Sequence, residues 1–341
     1  MDIEIPKCLK EYCESVGKSE CANPFQVEPE QAVEPAELEA QREELLRLKR
    51  ELRVTILAHN YQRPEVQDVA DYVGDSLGLS REAAKMASND PILFCGVDFM
   101  GEVAKILNPQ REVLLPDLSA GCSLEECCRA EDLAKFKAEH PELYVVSYIN
   151  CSAAVKALSD VICTSGNADR IVSNVPQEKR ILFVPDENLG SWVREQTHRE
   201  MVLWPGYCYL HTQFTPREVE AARRLYPQAK VIAHPECLAS VKAVSDAVCS
   251  TEKMIHYCRQ PELKEFIVVT EMNMIHRLKK ECPGKTFYPL NVRGYCPECK
   301  HMKRNTLAKM IKTLKGRFPR IELPKEIMEK ARIPIERMLN Q

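Results

Sequence analysis

Cysteines are the residues of this chain whose type and spacing most invite chemistry. Cys296 and Cys299 form a Cys-x-x-Cys within "GYCPECKHMKRNTLAKM" (294–310), just ahead of a helical run. Such a pair can be half a zinc site, a redox disulfide or part of an iron-sulfur ligand set. Two more cysteines stand in similar loops, Cys122 in "SAGCSL" and Cys208 in "WPGYCYLH". Cys122, Cys208 and Cys299 recur at intervals of roughly ninety residues, the signature of an internal repeat.

Three segments run strand, helix, hydroxyl-bearing turn, helix, strand and cysteine loop. In the first, the strand ends at His59-Asn60-Tyr61, the turn is "GDSLGLS" with Ser76, and Cys122 closes the unit. The second has Tyr148-Ile149-Asn150, "SDVICTSGNA" with Ser165, and Cys208. The third has His234-Pro235-Glu236, "SDAVCSTEKM" with Ser250 and Thr251, and Cys299. Three such units around a pseudo-threefold axis bring equivalent loops together, so three thiolates converge. A structural zinc normally takes four protein ligands, whereas a cluster on three cysteines leaves one iron open as a Lewis acid. A hydroxyl where a strand gives way to a helix is either a plain cap or part of an anion site. Three in register favour a cavity for carboxylates or phosphate. His59, Tyr61, Tyr148, Asn150, His234 and Glu236 fall at carboxyl ends of strands, where α/β folds place ligands.

The elements that must position these residues are short β-rich runs, "VTILAHN", "PILFCGV", "LYVVSYIN", "RILFVPD", "KVIAHPE" and "FIVVTEM", alternating with helical patterns. That alternation predicts an α/β fold with short parallel sheets covered on both faces, and the repeat divides it into three homologous α/β/α domains that can pack around a pseudo-threefold axis. The expected divisions are an N-terminal extension (1–35), repeats at 36–125, 126–212 and 213–302, and a C-terminal helical segment (303–341). Residues 36–53 have leucines at helical spacing among mixed charges, an amphipathic helix. The extension, with Cys8, Cys13 and Cys21, reads as loosely attached. In 341 residues, 47 basic and 50 acidic side chains are well mixed and leave a net charge of -3. Nucleic acid is therefore not an expected partner. No apolar run is long enough to span a bilayer, and the acidic N-terminus lacks a signal-peptide core, so the expected location is cytoplasmic. In that compartment most of the 16 cysteines should be core fillers.

The combination of "ILAHNYQRPEVQDVADYVGDSLGLS", "FCGVDFMGEVAKILNP", "GCSL", "YINCSAAVKALSDVICTSGNA", "WPGYCYLH", "AHPEC" and "CxxMKxNTL" closely resembles the quinolinate synthase family. The resemblance covers nearly all of residues 50–315. It implies a three-domain trefoil with one 4Fe-4S cluster per chain on three cysteines. It also implies condensation of iminoaspartate with dihydroxyacetone phosphate to quinolinate, losing phosphate and two waters, in NAD biosynthesis. By motif the ligands carry over to Cys122, Cys208 and Cys299, the last because Met302 and Asn305 keep its downstream spacing. Cys296 is then extra, and Arg293 stands where some members carry a further cysteine. His59, Tyr61, Ser76, Tyr148, Asn150, Ser165, His234, Glu236 and Thr251 map to the substrate cavity. Glu236 suits a base with His234 beside it, and Tyr61 lies near the triose. An L-aspartate oxidase or dehydrogenase is the implied supplier of iminoaspartate.

Cys127 and Cys128 read as packing, Cys95, Cys151, Cys163, Cys237, Cys249 and Cys258 as buried, and Glu102, Glu271 and His276 as residues that support the site from behind. Two other readings compete. One is a three-cysteine cluster-dependent reductase or dehydratase, which would need pyrophosphate-specific residues. The other is a zinc- or cluster-based sensor, which would need a second thiol pair.

Overall fold

The computed structural model describes residues 4, 6–17, 33–86 and 89–341. Within them the chain forms three parallel sheets of four strands. The first sheet has β1 (Thr55–His59), β2 (Tyr72–Gly74), β3 (Ile92–Cys95) and β4 (Val113–Leu114) in the order β2-β1-β3-β4. The second has β5 (Leu143–Tyr148), β6 (Val161–Cys163), β7 (Arg180–Val184) and β8 (Met201–Leu203), ordered β6-β5-β7-β8. The third has β9 (Lys230–Ala233), β10 (Ala247–Val248), β11 (Glu265–Val269) and β12 (Thr286–Pro289), ordered β10-β9-β11-β12. One topology is thus drawn three times, an α/β architecture that fits a trefoil of α/β/α units.

The two central strands of each sheet are covered on both faces and almost wholly buried. They read as continuous apolar runs, as parallel strands should. The six edge strands are two to four residues long and were not among the sequence-based expectations. Each repeat therefore contains two more strands, and a third helix, than its sequence pattern suggests. An aspartate repeats the register device. Asp71 Oδ2 accepts from Ile56 N, Asp160 Oδ2 from Val145 N and Asp246 Oδ2 from Val231 N, each at 2.8 Å. The backbone amides of the three aspartates return to the carbonyls of the same three residues. This two-bond clamp sets where the first edge strand begins, and so where the following hydroxyl turn falls.

Outside the sheets, the helix Pro35–Leu52 buries Leu45 and Leu48 and packs beside the C-terminal helix Leu307–Gly316 over the first sheet. The last helix, Lys325–Leu339, lies instead on Ala153–Leu158 of the second repeat. Part of the segment read as loosely attached is a helix, Lys7–Gly17. Its Tyr12 packs on the core around Cys127, Cys128, Phe136 and Trp204, with the Arg129 guanidinium 4.3 Å from its ring centroid. Cys8 is exposed, and the Cys13 side chain and Cys21 lie outside the described residues. Cys95, Cys127, Cys128, Cys151, Cys163, Cys237 and Cys258 are buried. Cys249, expected to be buried, is only half-buried because it leaves the short edge strand β10. No helix among the described residues is long and apolar enough to cross a membrane.

Gly206, two residues before Cys208, is where close packing is tightest. A Cβ there would lie 2.4 Å from Pro185 O and 2.8 Å from Cys127 Cβ. Beside Cys122, a Cβ on Gly121 would meet nothing nearer than 3.8 Å. Gly206→Ala should cost about 1–3 kcal/mol of stability, while Gly121→Ala should stay within about 0.5 kcal/mol. Equal urea midpoints for the two variants would contradict this packing.

Candidate functional site

A hydrogen bond repeated in all three units delivers the cysteines. The amide three residues beyond the third strand of each sheet donates to a carbonyl in the cysteine loop. These bonds are Asp98 N to Ala120 O (2.8 Å), Glu187 N to Gly206 O (2.8 Å) and Met272 N to Pro297 O (2.9 Å). Cys122, Cys208 and Cys299 each lie two residues past that carbonyl. Cys296 precedes it and is exposed, on a turn where Arg293 and Gly294 take positive φ. Of the Cys-x-x-Cys pair, Cys299 is thus the structural equivalent of the other two.

Each of the three thiols also sits where a helical turn begins. Backbone amides of Glu125 and Leu124 bond Cys122, that of His211 bonds Cys208, and those of Met302 and His301 bond Cys299. Free amides at such a turn favour thiolate. All three thiols line one cavity. Among the described residues, the set of three metal-type ligand atoms within 4.8 Å of one another is Cys208, His211 and Glu236. Cys122 and Cys299 do not join that set, although both line the same cavity.

The same cavity takes in every residue expected at the strand ends, His59 and Tyr61, Tyr148 and Asn150, His234 and Glu236. Glu236 is the centre of the polar contacts. Its Oε1 accepts from Tyr148 OH at 2.5 Å, and its Oε2 lies 2.7 Å from His211 Nδ1. His234, expected to partner Glu236, keeps its Nδ1 at 3.8 Å from that carboxylate and stacks on His211 instead. His211 Nδ1 also lies 3.2 Å from Cys208 Sγ, and its Nε2 is 2.8 Å from Thr270 Oγ1. Thr270 Oγ1 is 2.6 Å from Tyr61 OH. A chain of hydrogen bonds thus runs Tyr148, Glu236, His211, Thr270, Tyr61.

Repeat geometry also fixes two imidazoles. His59 Nδ1 accepts from Tyr61 N at 3.2 Å, and His234 Nδ1 accepts from Glu236 N at 3.4 Å. In a neutral ring the proton then resides on Nε2. Burial, only partly offset by Glu236, lowers both histidines to about 3. Both rings are therefore neutral Nε2–H donors. Burial also pushes the Tyr61 and Tyr148 phenols well up, reinforced by Glu236. Burial alone would raise the Glu236 carboxyl, but the His211 and His234 rings and the bonds from His211 and Tyr148 outweigh it and hold it low. Glu236 is a carboxylate surrounded by donors.

Ser76 and Thr251 line the cavity at helix starts, and Ser165 lines it in the turn that precedes the helix Ala168–Ser173. Asp75 caps the helix Ser76–Lys85 through Gly78 N, and Ser250 caps Thr251–Cys258 through Lys253 N. Ser76 and Thr251 are thereby the first helical residues and are relieved of the capping role. The turns touch one another: a Cβ on Gly166 would lie 3.5 Å from Asp75 Oδ2, Ser250 Oγ and Thr164 Oγ1. Among the described residues, no lysine or arginine lines the cavity. Positive potential comes from helix N-termini, and hydrogen-bond capacity from hydroxyls and amides. Asn150 Oδ1 and His301 Nδ1, both in the lining, have no partner among the described residues.

Three residues expected to support the site divide. Glu271 does so directly: its Oε1 accepts from Cys299 N (3.3 Å) and pairs with the fully buried Lys303 Nζ (2.6 Å), which also donates to Tyr61 O (2.5 Å). Glu102 accepts from Ala153 N at 2.7 Å and joins two repeats away from the cavity lining. His276 is a surface residue paired with Asp68 at 2.7 Å and supports no part of the site, because its helix turns it outward. His211 and Thr270 were missed. His211 ends the quoted "WPGYCYLH", but no equivalent histidine stands in the other repeats to draw attention to it.

The histidines imply a pH dependence of stability. As pH falls through about 6.5, the unfolded chain takes up protons that folded His59 and His234 refuse until about 3. Their contribution to unfolding is nil above that window and grows with acidity within it. The urea midpoint should fall from about pH 7 to about pH 5, and His59→Gln, which keeps a donor but cannot titrate, should flatten the slope. An unchanged slope in that variant would show that His59 protonates in the folded state.

A sequence profile of the quinolinate synthetase A protein family matches residues 43–340. The quinolinate synthase of Cyanophora paradoxa is 50% identical over 294 residues, 86% of this chain and 89% of the relative. That of Gloeothece citriformis is likewise 50% identical over 86% of this chain and 91% of its own, and that of Synechocystis sp. 50% over 86% and 92%. With a match spanning the three sheets and every residue of the cavity, the chain belongs to the quinolinate synthase family.

Proposed function

We propose that this protein condenses iminoaspartate with dihydroxyacetone phosphate to quinolinate, releasing phosphate and two waters, with one 4Fe-4S cluster held by Cys122, Cys208 and Cys299. The observation that carries the reading is the equivalence of those cysteines, each two residues past the same bonded carbonyl and each lining one cavity. Three thiol donors, each bonded by backbone amides and all lining one cavity, fit such a cluster. When bound, it supplies a Lewis-acidic iron that grips a substrate oxygen and aids water loss without electron transfer. Residues 36–125, 126–212 and 213–302 are the three domains of this reading, and the enzyme is cytoplasmic, supplied by an aspartate oxidase or dehydrogenase.

The protein's own groups divide the remaining work. The reaction joins an enamine carbon to a triose and then aromatises, which requires repeated removal and return of protons. Glu236 takes them, since its carboxylate is ionised and buried. His211 and Thr270 link it to Tyr61, whose protonated phenol serves the triose oxygens. His59 and His234 offer Nε2–H to substrate oxygens without changing charge. Ser76, Ser165 and Thr251, with Tyr148 and Asn150, hold the carboxylates and phosphate. With no fixed cation in the lining, these anions are held by hydrogen bonds that can be exchanged, which favours phosphate departure.

Anaerobic iron and sulfide content, measured with quinolinate formation, tests this. Cys299→Ala should lose both cluster and product, while Cys296→Ala keeps both. Glu236→Gln should retain the cluster spectrum and lose roughly a hundredfold or more in kcat, the usual scale for a general base. Cluster retention in Cys299→Ala, or zinc in place of iron, would overturn the assignment and restore the zinc-site reading.

A further inference from the structure

Each repeat carries a buried hydrogen-bond donor at the fourth residue of its first helix. These are Gln67 in Pro64–Val69, Lys156 in Ala153–Leu158 and Lys242 in Ala239–Ala243. All three reach back to the segment that follows the first strand of their own sheet. Gln67 Nε2 lies 3.1 Å from Asn60 O and 2.8 Å from Gln62 O. Lys242 Nζ lies 3.0 Å from Pro235 O, and Lys156 Nζ donates to Cys151 O. Those carbonyls belong to the segments that carry His59 and Tyr61, Tyr148 and Asn150, and His234 and Glu236.

The same three atoms also reach a neighbouring repeat, always at the fourth residue past the end of its third strand. Gln67 Nε2 is 3.1 Å from Asn273 O in the third repeat, and Lys242 Nζ is 2.7 Å from Asn188 O in the second. Lys156 Nζ lies 5.2 Å from the Phe99 ring centroid in the first. The contacts run one way round: first repeat onto third, third onto second, second onto first. They close a ring.

We propose that Gln67, Lys156 and Lys242 are positioning residues that lock the three repeats into this ring and hold the strand-end segments in the orientation the cavity requires. The segments are irregular backbone in a buried place, so their carbonyls need donors that no strand supplies. A buried lysine is costly to desolvate, and a position concerned only with packing would carry an apolar side chain. Because one repeat uses a glutamine, the shared property is the N–H donor rather than the charge. Lys156 has Glu102 and Glu125 nearby and Lys242 has Asp186, although burial pushes all three carboxyls up.

The kinetic arm of the test rests on the quinolinate synthase reading, and the exchange arm does not. In the cluster-loaded protein, Lys242→Met should lower kcat at least about tenfold with KM within about threefold. Amide hydrogen exchange over residues 234–238 should quicken at least about tenfold, with β9 and β11 unchanged. Lys242→Gln should restore both to within about threefold of wild type. The proposal is overturned if Lys242→Met retains wild-type kcat, if exchange rises evenly across the third sheet, or if the Gln variant matches the Met variant. Should Lys242→Met fail to accumulate folded, Gln67→Met, followed at Asn60–Gln62, decides in the same way. Absence of quinolinate from the wild type would sink the functional reading alone, leaving the exchange result to judge the ring.

Discussion

The arrangement depends on a hydrogen bond made three times between the turn after a sheet's third strand and the loop that brings a cysteine inward. It connects an element held by the apolar core to one that is not. Central strands such as β3, β7 and β11 are buried apart from the first residues of β7 and β11, and have little freedom to shift. An amide three residues beyond their ends therefore has a well-defined place, and the bonded carbonyl inherits it. Two residues further on, each thiol meets amides of a helical turn that stabilise its ionised form. Positional accuracy at the thiols is borrowed from the strands, although the cysteine loops themselves are irregular.

Charge follows the same economy. The proposed substrates are anions, yet among the described residues no lysine or arginine lines the cavity. Buried cations are nearby but committed: Lys303 pairs with Glu271 and holds Tyr61 O, while Lys242 and Lys156 hold backbone carbonyls. A free cation in the cavity would have lowered the free energy of bound substrate and product alike, which gains nothing for the chemical step. Burial raises all three thiols in the protein alone; Cys299 raises Cys122 further, and Cys122 and Cys299 both raise Cys208. Three thiolates side by side are sustained only when a metal group brings its own positive charge. The polypeptide can therefore fold with neutral thiols and ionise them on loading.

Legibility in the sequence tracked repetition. The six central strands were recognisable because burial on both faces makes them apolar runs, whereas edge strands such as β4 and β10, two residues each, lie below any periodicity. The cysteines, the strand-end residues and the hydroxyl turns were found because each had two echoes, and the structure brings them to one cavity. His211 and Thr270 had none. At the place of His211 the other repeats carry Glu125 and Met302, and at the place of Thr270 they carry Gly96 and Pro185. His276 was overestimated for the converse reason: its sequence neighbourhood looked site-like, but a helix turned it toward Asp68 at the surface.

That contrast shows how a threefold scaffold can serve an asymmetric reaction. The elements that repeat do what is symmetric: the cysteines and hydroxyl turns reach one cavity, and aspartates set edge-strand register. In the proposed reaction, proton handling uses the positions where the repeats differ. Two residues beyond His59, Tyr148 and His234 stand Tyr61, Asn150 and Glu236, one each of a weak acid, a neutral amide and a carboxylate. His211 and Thr270, likewise unrepeated, join the first and last of these. A substrate lying among three equivalent walls would otherwise meet the same groups in every orientation. Placing the Glu236 carboxylate, the His211 imidazole and the Tyr61 phenol in one hydrogen-bonded line gives the cavity a direction, and it does so without disturbing the repeated bonds that hold the thiols.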